Sequence, residues 1–327
     1  MLLISKISAQ NLNSGLLQIV TGDSLQTNFE ISAQENLVKE KIGALCEEVD
    51  KKYAELGWNE SGCRQIAWSA PYMSSLKNPL IYAEFGKNKK NTTLILSSVH
   101  PNEITPIYMG FKFALTLLKA ELNESRVIIA PLVNPDGFFK KNPLRQNSNG
   151  VDLNRNFFTS DWYSLAKNWW SDRRAKSPGH FPGLIPNSEI ETLFQVYLIE
   201  KFNPQKIISI HAPLGFYDYD GPGTKLNRSL SESEQRAKKI VHSMAKSAKN
   251  YRVVEYSFYP GSLGNYAGIE RGIPTVTLEL ESIEAKKAED YWLKFSPSLM
   301  QAVQFKIDDT IKPVIKSQYF TRAEGDK

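Results

Sequence analysis

Short runs that are apolar at almost every position alternate along this chain with segments whose apolar residues recur at helical spacing. The apolar runs are LIYAEFG (80–86), TTLILSSV (92–99), SRVIIAPLV (125–133), KIISI (206–210) and PTVTLELES (274–282). The helical segments are ITPIYMGFKFALTLLKAEL (104–122), NSEIETLFQVYLIEKF (187–202) and SEQRAKKIVHSMAKSAK (233–249). Strands that are apolar throughout are buried on both faces, and their alternation with helices is typical of α/β proteins. The pattern predicts an α/β fold with a mixed, mostly parallel, twisted sheet flanked by helices on both faces.

Size and charge exclude several classes of protein. The 327 residues, 41% of them hydrophobic, can bury a large core. The net charge of +5 is mild, and no Lys/Arg block with interleaved aromatic residues indicates a nucleic-acid face. No apolar run approaches the roughly 20 residues that a membrane span needs. The start MLLISKISAQ has a short apolar core and no basic leading end, so it does not predict a working signal peptide, although a trimmed remnant is an alternative.

Candidate metal ligands lie at the ends of predicted strands, where ligands gather in sheets of this kind. His100 and Glu103, in SSVHPNEITP, pass from a strand end to the first turn of a helix, although a strand ending in a turn is the plainer reading. A hydrolytic zinc site needs a third protein ligand and an open position for water. Of the other histidines, His242 lies inside an amphipathic helix, His180 lies in a loop, and His211 ends a buried strand. His100, Glu103 and His211 are therefore the best candidate set.

Six motifs occur in an order that resembles a known family. They are HPNE, NPDGF, GVDLNRNF, GLIPNSEIET, SIHAPLG and TVTLEL. Their order and spacing resemble those of the M14 zinc carboxypeptidases, from about residue 65 to the end of the VTLELES strand. SIHAPLG and the following YDYDGP are most similar to bacterial murein peptide amidases, which cleave the bond between γ-D-glutamate and meso-diaminopimelate in cell-wall peptides. The resemblance implies a hydrolase with one zinc ion and a peptidoglycan-derived peptide as substrate.

The resemblance also implies the catalytic groups. Zinc held by the three ligands would polarise the scissile carbonyl and lower the pKa of its water toward ~7. Glu279, in TLEL, matches the carboxylate that accepts the proton of this water and passes it to the leaving amine. Glu281 shares its side of the strand by the period of two and is a rival, and a buried structural acid is the alternative for Glu279. Arg145 matches the residue that stabilises the oxyanion, with a surface ion pair as its alternative.

Two further matches concern the carboxylate of the leaving residue and the support of the metal. Asn154 and Arg155, in DLNRNF, match the residues that bind this carboxylate, where a planar guanidinium gives two parallel hydrogen bonds. Asp152 matches a residue that accepts a hydrogen bond from a zinc-binding histidine. A helix cap is the alternative role for Asp152.

The substrate pocket is predicted from the motif YSFYPGSLGNY. Tyr256 matches the mobile tyrosine that caps the substrate, but Tyr259 is close enough to compete. Leu263 falls at the base of the pocket and Gly264 follows it. Neither position carries an acid, which argues against a simple preference for C-terminal lysine or arginine.

Two acids follow His211 in the chain. Diaminopimelate is zwitterionic at its far end, so its pocket needs polar groups besides those that bind the carboxylate next to the scissile bond. Asp218 and Asp220 are candidates to meet the distal ammonium, and solvated loop charges are the alternative reading for both.

The segment before the motifs is predicted to be an N-terminal extension, residues 1–64, packed on a catalytic domain of residues 65–327. A helix is expected from residue 33 onward, and CRQIAW (63–68) is expected to be a strand. The two cysteines, Cys46 and Cys63, lie 17 positions apart on these two elements. A disulfide between them would persist only in an oxidising compartment, which favours a periplasmic or exported protein. Two buried thiols in a cytoplasmic recycling enzyme are the alternative.

Two other functions fit parts of the same pattern. Zinc acylases such as succinylglutamate desuccinylase and aspartoacylase share the H-x-x-E and DLNR patterns, but SIHAPLG, NSEIET and VTLEL follow the peptidases. A non-catalytic peptidoglycan-binding module is the other alternative. The presence of all three candidate ligands, Arg145 and Glu279 argues against it.

Overall fold

The computed structural model describes residues 24–173, 176–220, 232–256 and 259–307. Its helices are α1 Ser24–Glu55, α2 Ile104–Lys119, α3 Pro135–Phe138, α4 Lys167–Arg173, α5 Ile190–Phe202, α6 Glu232–Ser247 and α7 Ala288–Gln304. Its strands are β1 Ser69–Met73, β2 Pro79–Gly86, β3 Thr92–Ser97, β4 Arg126–Ala130, β5 Lys206–His211, β6 Phe216–Tyr219, β7 Val253–Val254 and β8 Thr275–Glu279. Within these residues no helix is long and apolar enough to span a membrane.

The strands form one sheet in the order β1-β2-β4-β3-β5-β8-β6-β7. The four central strands β4, β3, β5 and β8 run parallel to one another. On one side β2 pairs antiparallel with β4, and on the other side β6 pairs antiparallel with β8. The prediction of a mixed sheet with a parallel centre is confirmed.

Each face of the central sheet is covered, which explains why the strands are apolar at consecutive positions. Ile95 on β3 belongs to a core that includes Met109 of α2 and Phe295 of α7. Its neighbour Leu94 points the other way and belongs to a core that includes Phe194 of α5. Successive residues of one strand therefore pack on helices of opposite layers.

The parallel register places the carboxyl ends of β3, β5 and β8 side by side, and these ends carry Ser97, His211 and Glu279. Ser97, the last residue of β3, pairs with Ile210 on β5, so the segment that leaves β3 runs beside the end of β5. His211, the last residue of β5, pairs with Glu279, the last residue of β8. Strand ends that are far apart in sequence become neighbours because all three strands point in one direction.

Several sequence-based boundaries are wrong. Helix α2 ends at Lys119 instead of 122, β4 ends at Ala130 instead of 133, and α5 begins at Ile190 instead of 187. The run at 63–68 is not a strand, because Cys63–Gln65 forms a 3-10 turn and β1 begins only at Ser69. The last central strand ends at Glu279 instead of continuing to residue 282. Ile66 is buried outside any strand, and Leu280 is buried after the end of β8, although its N–H still donates to the carbonyl of His211 at 2.8 Å. Composition alone does not distinguish such residues from strand residues.

Among the described residues, 24–40 and those from 41 onward form two separate units. Residues 1–23 of the predicted extension lie outside the described residues. Within the second unit, Leu45, Cys46 and Val49 of α1 belong to a buried core that includes Ile107 of α2. A disulfide joins Cys46 to Cys63, with 5.4 Å between their Cα atoms. The expected domain boundary at residues 64 and 65 stays a prediction.

Candidate active site

Three candidate ligands meet at the edge of the sheet. His100 follows β3, Glu103 occupies the position before the first turn of α2, and His211 ends β5. Nδ1 of His100 lies 2.9 Å from one carboxylate oxygen of Glu103, and Nδ1 of His211 lies 3.0 Å from the other. The three side chains are buried, and one ligand atom from each lies within 4.8 Å of the other two. We refer to His100, Glu103 and His211, which together could hold one metal ion, as the candidate zinc ligands.

The surroundings of the two imidazoles fit a single zinc ion. Nε2 of His100 lies 2.9 Å from Oδ1 of Asp152, and Nε2 of His211 lies 2.9 Å from Oγ of Ser209. These partners fix both rings with Nδ1 toward the carboxylate of Glu103. Two imidazole nitrogens and one carboxylate oxygen, each held from behind, are a donor set that catalytic zinc uses.

Asp152 links three parts of the site. Its Oδ1 also accepts the backbone N–H of Asn154 at 3.0 Å, and its Oδ2 accepts Nε of Arg145 at 3.0 Å. Burial by itself would raise the pKa of Asp152, but Arg145 and His100 hold this pKa well below its usual range. The two roles considered for Asp152, partner of a histidine and cap of a short helical turn, are both present.

Arg145 contacts Glu103 at the carboxylate oxygen that does not face His211. Its Nη1 lies 3.2 Å from Oε1 of Glu103, and its side chain is 22% exposed. A guanidinium that touches both Asp152 and Glu103 is not an isolated surface ion pair. It lies where a cation can reach charge that develops near the metal.

Glu279 lies beside His211 at the end of β8. Burial raises the pKa of Glu279 to about 7, and the nearby charge of Glu103 adds to the rise against the opposing effect of His211. Glu281 is exposed, and its Oε1 forms an ion pair with Nζ of Lys294 at 2.7 Å. The strand has ended before Glu281, so the period of two no longer directs its side chain toward the site.

Asn154 and Arg155 form the helical turn that Asp152 caps. Oδ1 of Asn154 accepts the backbone N–H of Leu263 at 2.8 Å, which fixes the orientation of the carboxamide. Arg155 is buried, and its Nη1 donates to the carbonyl of Asn154 at 2.5 Å. The turn therefore presents two rigid donors next to the segment that carries Leu263.

The two tyrosines considered for the capping role have different surroundings. The ring of Tyr259 lies 4.3 Å from the guanidinium of Arg155. Tyr256 is 37% exposed, and its ring lies 5.3 Å from that of Phe216. Tyr259 contacts a group inside the site, whereas Tyr256 lies at the surface, where a side chain can move.

Asp220, which directly follows β6, lies at the predicted base of the pocket. Although positions 263 and 264 carry no acid, a Cβ atom at Gly264 would lie 1.8 Å from Oδ1 of Asp220. Asp220 therefore occupies the space that a side chain at position 264 would fill. Burial raises the pKa of Asp220 well above its usual range, and the Asp218 carboxylate raises it further. Asp218 itself accepts the backbone N–H of Tyr256 at 2.9 Å.

Sequence reasoning missed several supporting residues. Ser209 carries a local signal, since it lies two positions before His211 on the same strand face. Asp161 and Asn265 carry none, because their hydrogen bond of 3.0 Å joins segments that are 104 positions apart.

Comparison with known proteins assigns the family. The sequence pattern described as zinc carboxypeptidase, peptidase M14, matches residues 53–297. Murein peptide amidase A of Escherichia coli (strain K12) is 28% identical over 242 residues, which cover 73% of this chain and 90% of that protein. Murein peptide amidase A of Vibrio campbellii (strain ATCC BAA-1116) is 32% identical over 214 residues, covering 65% of this chain and 78% of that protein.

Solved structures agree on the fold. The crystal structure of murein-tripeptide amidase MpaA from Escherichia coli O157 superposes with a TM-score of 0.54 at 24% identity, covering 74% of this chain and 94% of that one. Bovine thrombin-activatable fibrinolysis inhibitor, in complex with tick carboxypeptidase inhibitor, gives a TM-score of 0.61 at 18% identity, covering 82% of this chain and 95% of that one. Together with the site of one zinc ion, the family match makes this chain a hydrolase that belongs to the M14 zinc carboxypeptidases.

Proposed function

We propose that this chain hydrolyses the amide bond between γ-D-glutamate and meso-diaminopimelate in peptidoglycan-derived peptides. The observation that carries the proposal is that groups suited to both signs of charge adjoin the segment Leu263–Gly264. Asn154 and Arg155 are donors for a carboxylate, and Asp220 at the base of the pocket suits an ammonium ion. Diaminopimelate has a carboxylate next to the scissile bond and an amino-acid group at its far end. The murein peptide amidases among the relatives support this choice of substrate.

Each of the proposed site residues has a separate role in the reaction. His100, Glu103 and His211 would hold a zinc ion, whose Lewis acidity would polarise the scissile carbonyl and make the attacking water more acidic. Glu279 accepts the proton of the attacking water and passes it to the nitrogen of the leaving amine as the C–N bond breaks. Arg145 stabilises the negative charge on the carbonyl oxygen. Asn154 and Arg155 hold the carboxylate of the leaving residue, and Tyr256 covers it.

The half-buried position of Asp220 supports this selection of substrate. A half-buried carboxyl next to Asp218 is costly to ionise, and a bound ammonium ion removes part of this cost. Asp218 is less suited to the ammonium, because one of its oxygens already accepts the backbone N–H of Tyr256. Asp220 is therefore the residue that we assign to the distal ammonium.

Product analysis by mass spectrometry tests the proposed reaction. The zinc-loaded enzyme should release diaminopimelate from L-Ala-γ-D-Glu-meso-diaminopimelate, with a kcat/KM about a hundredfold above that for hippuryl-phenylalanine. Asp220→Asn should reduce this preference, since the amide still fills the space but carries no charge. Comparable efficiency on the two substrates would contradict the assignment.

The same experiment separates the alternatives. Hydrolysis of N-succinylglutamate without hydrolysis of any peptide would identify an acylase. A folded, zinc-loaded protein that binds muropeptides but cleaves none of them would identify a binding module.

We also propose that the protein works in an oxidising compartment, such as the periplasm. The support is the Cys46–Cys63 disulfide between α1 and the 3-10 turn. Cysteine pairs are kept reduced in most cytoplasms, and disulfides persist in oxidising compartments. Intact-mass measurement with alkylation, before and after reduction, tests this location. Two alkylated cysteines in unreduced protein recovered from its own cell would contradict it.

A further inference from the structure

An aromatic pair lies against the guanidinium of Arg155. The centre of the Tyr259 ring lies 4.3 Å from the guanidinium carbon, and the centre of the Trp169 ring lies 5.6 Å from it. The two rings also meet edge to face, with 4.7 Å between their centres. Both distances to the guanidinium are within the range of cation–π attraction.

The segment that carries Trp169 contacts Arg155 a second time. Trp162 is fully buried, and its Nε1 donates to the backbone carbonyl of Arg155 at 2.9 Å. Residues 162–166 form a π-helical turn that leads directly into α4. This segment therefore contacts Arg155 twice, through Trp162 at the backbone carbonyl and through Trp169 at the guanidinium.

The segment that carries Tyr259 is also close to Arg155. At Gly261, φ is +73°, and a Cβ atom there would lie 2.1 Å from the carbonyl oxygen of Arg155. The N–H of Phe157 donates to the carbonyl of Gly261 at 3.0 Å. These contacts keep the segment that carries Tyr259 next to Arg155.

We propose that Trp169, together with Tyr259, is a positioning residue that sets the plane of the Arg155 guanidinium for the carboxylate of the leaving residue. This inference rests on the proposed role of Arg155 as the receptor for that carboxylate. A guanidinium binds a carboxylate through two parallel hydrogen bonds only when the two planes coincide. Aromatic rings packed against the guanidinium restrict rotation out of that plane. They also exclude water from the ion pair, which strengthens it.

Two substrates that differ in one group test the inference. One is L-Ala-γ-D-Glu-meso-diaminopimelate, and the other carries a primary amide in place of the carboxylate next to the scissile bond. Trp169→Ala should raise KM for the carboxylate substrate about tenfold with little change in kcat, because the contact exists equally in the ground state and the transition state. KM for the amide should not change. Trp169→Phe, which retains a ring, should restore most of the loss.

Trp170→Ala is the matched control. Trp170 is on the same helix and equally half-buried, but its ring lies 5.0 Å from that of Phe181, and its Nε1 donates to the carbonyl of Ser177. Its replacement should leave the ratio of the two KM values unchanged. An equal rise of KM for both substrates in Trp169→Ala, or the same change of ratio in Trp170→Ala, would overturn the inference, since either indicates general loosening of α4.

A second measurement separates this inference from the proposed function. Calorimetric binding of the two peptides to zinc-loaded Glu279→Gln protein needs no turnover. In that background, Arg155→Ala should remove the difference in affinity between the carboxylate and the amide. If it does not, the role of Arg155 is wrong, and the inference is wrong with it. If Arg155→Ala removes the difference and Trp169→Ala leaves it intact, only the inference is wrong.

Discussion

At the residue scale, two glutamates that are two positions apart have different surroundings. Glu279 is at the end of β8 beside His211, where burial raises its pKa to about 7. A carboxylate with a pKa near the working pH is suited both to accept a proton and to give it up. Glu281 is exposed and paired with Lys294.

We predict that Glu279→Gln retains the fold and the bound zinc but lowers kcat by several orders of magnitude. The amide has nearly the same shape, but it cannot accept the proton of the attacking water. Turnover of the muropeptide and zinc content per chain should be measured together. Glu281→Gln is the control and should be close to wild type. The reverse result, a crippling change at 281 and a mild one at 279, would show that the wrong glutamate has been assigned.

Glu191 on α5 carries a second prediction at this scale. It is fully buried, and Oε2 accepts Nδ2 of Asn147 at 3.0 Å. Burial raises the pKa of Glu191 to about 7 from 4.5, opposed by the Asn147 hydrogen bond, and the carboxylates of Asp136 and Glu189 raise it further. The folded state therefore binds this proton more tightly than the unfolded state. The free energy of unfolding should fall as the pH rises from about 4.5 through about 7.

Glu191→Gln should remove this pH dependence. We expect the variant to be more stable than wild type at pH values above 7 by up to about 3 kcal/mol, with no advantage at low pH, where Glu191 is already neutral. Urea unfolding across this pH range measures the difference. Glu200→Gln, at an exposed position of the same helix, is the control. A constant difference between Glu191→Gln and wild type at every pH would contradict the assignment.

At the scale of elements, the disulfide joins α1 to the 3-10 turn that precedes β1. Its two half-cystines are 17 positions apart, so the bond closes a loop of moderate size in the unfolded chain. Both belong to the core that also contains residues of α2. The bond therefore holds the last turns of α1 against the catalytic fold.

Replacing both half-cystines by serine should lower the free energy of unfolding by about 3 kcal/mol, because the unfolded chain regains the freedom that the bond removes. Urea unfolding of the double variant and of oxidised wild type gives the difference. Wild type treated with a phosphine reductant should resemble the double variant. Equal stability of oxidised and reduced wild type would indicate that the bond adds nothing to the fold.

At the scale of the whole molecule, the candidate zinc ligands come from separate parts of the sheet. His100 and Glu103 belong to the connection from β3 to α2, and His211 belongs to β5. Asp152 and Arg145 extend the same cluster to the loop after α3. A metal bound here would link segments that are far apart in the sequence.

Removal of zinc should therefore abolish hydrolysis and also lower the thermal midpoint of the whole domain. A ligand that binds only the folded state stabilises it by about 2.7 kcal/mol at a free concentration of one hundred times Kd. Calorimetric scans with a chelator, and then with zinc restored, measure the effect. His242→Ala, at an exposed histidine of α6, should respond to zinc like wild type. An unchanged midpoint after chelation would show that the cluster is stable without the metal.

The sequence by itself determined the fold class and was sufficient to select His100, Glu103 and His211 as candidate metal ligands. Continuous apolar strands that alternate with helices are sufficient for a covered, mixed sheet. His100 and Glu103 are local to one strand end, and His211 closes a buried strand of its own. Parallel strands carry such residues to a shared edge, so their meeting follows from features that each segment contains.

Only the tertiary structure decided which side chains line the substrate site. Asp220 lies against Gly264 although the two are on different elements, and Trp169 lies against Arg155 across a loop. The sequence also left Glu281 as a rival to Glu279 until the end of β8 separated them. Periodicity is a property of neighbouring residues, whereas these contacts depend on how distant segments close on one another. That closure is set by packing of the complete chain, which no single segment encodes.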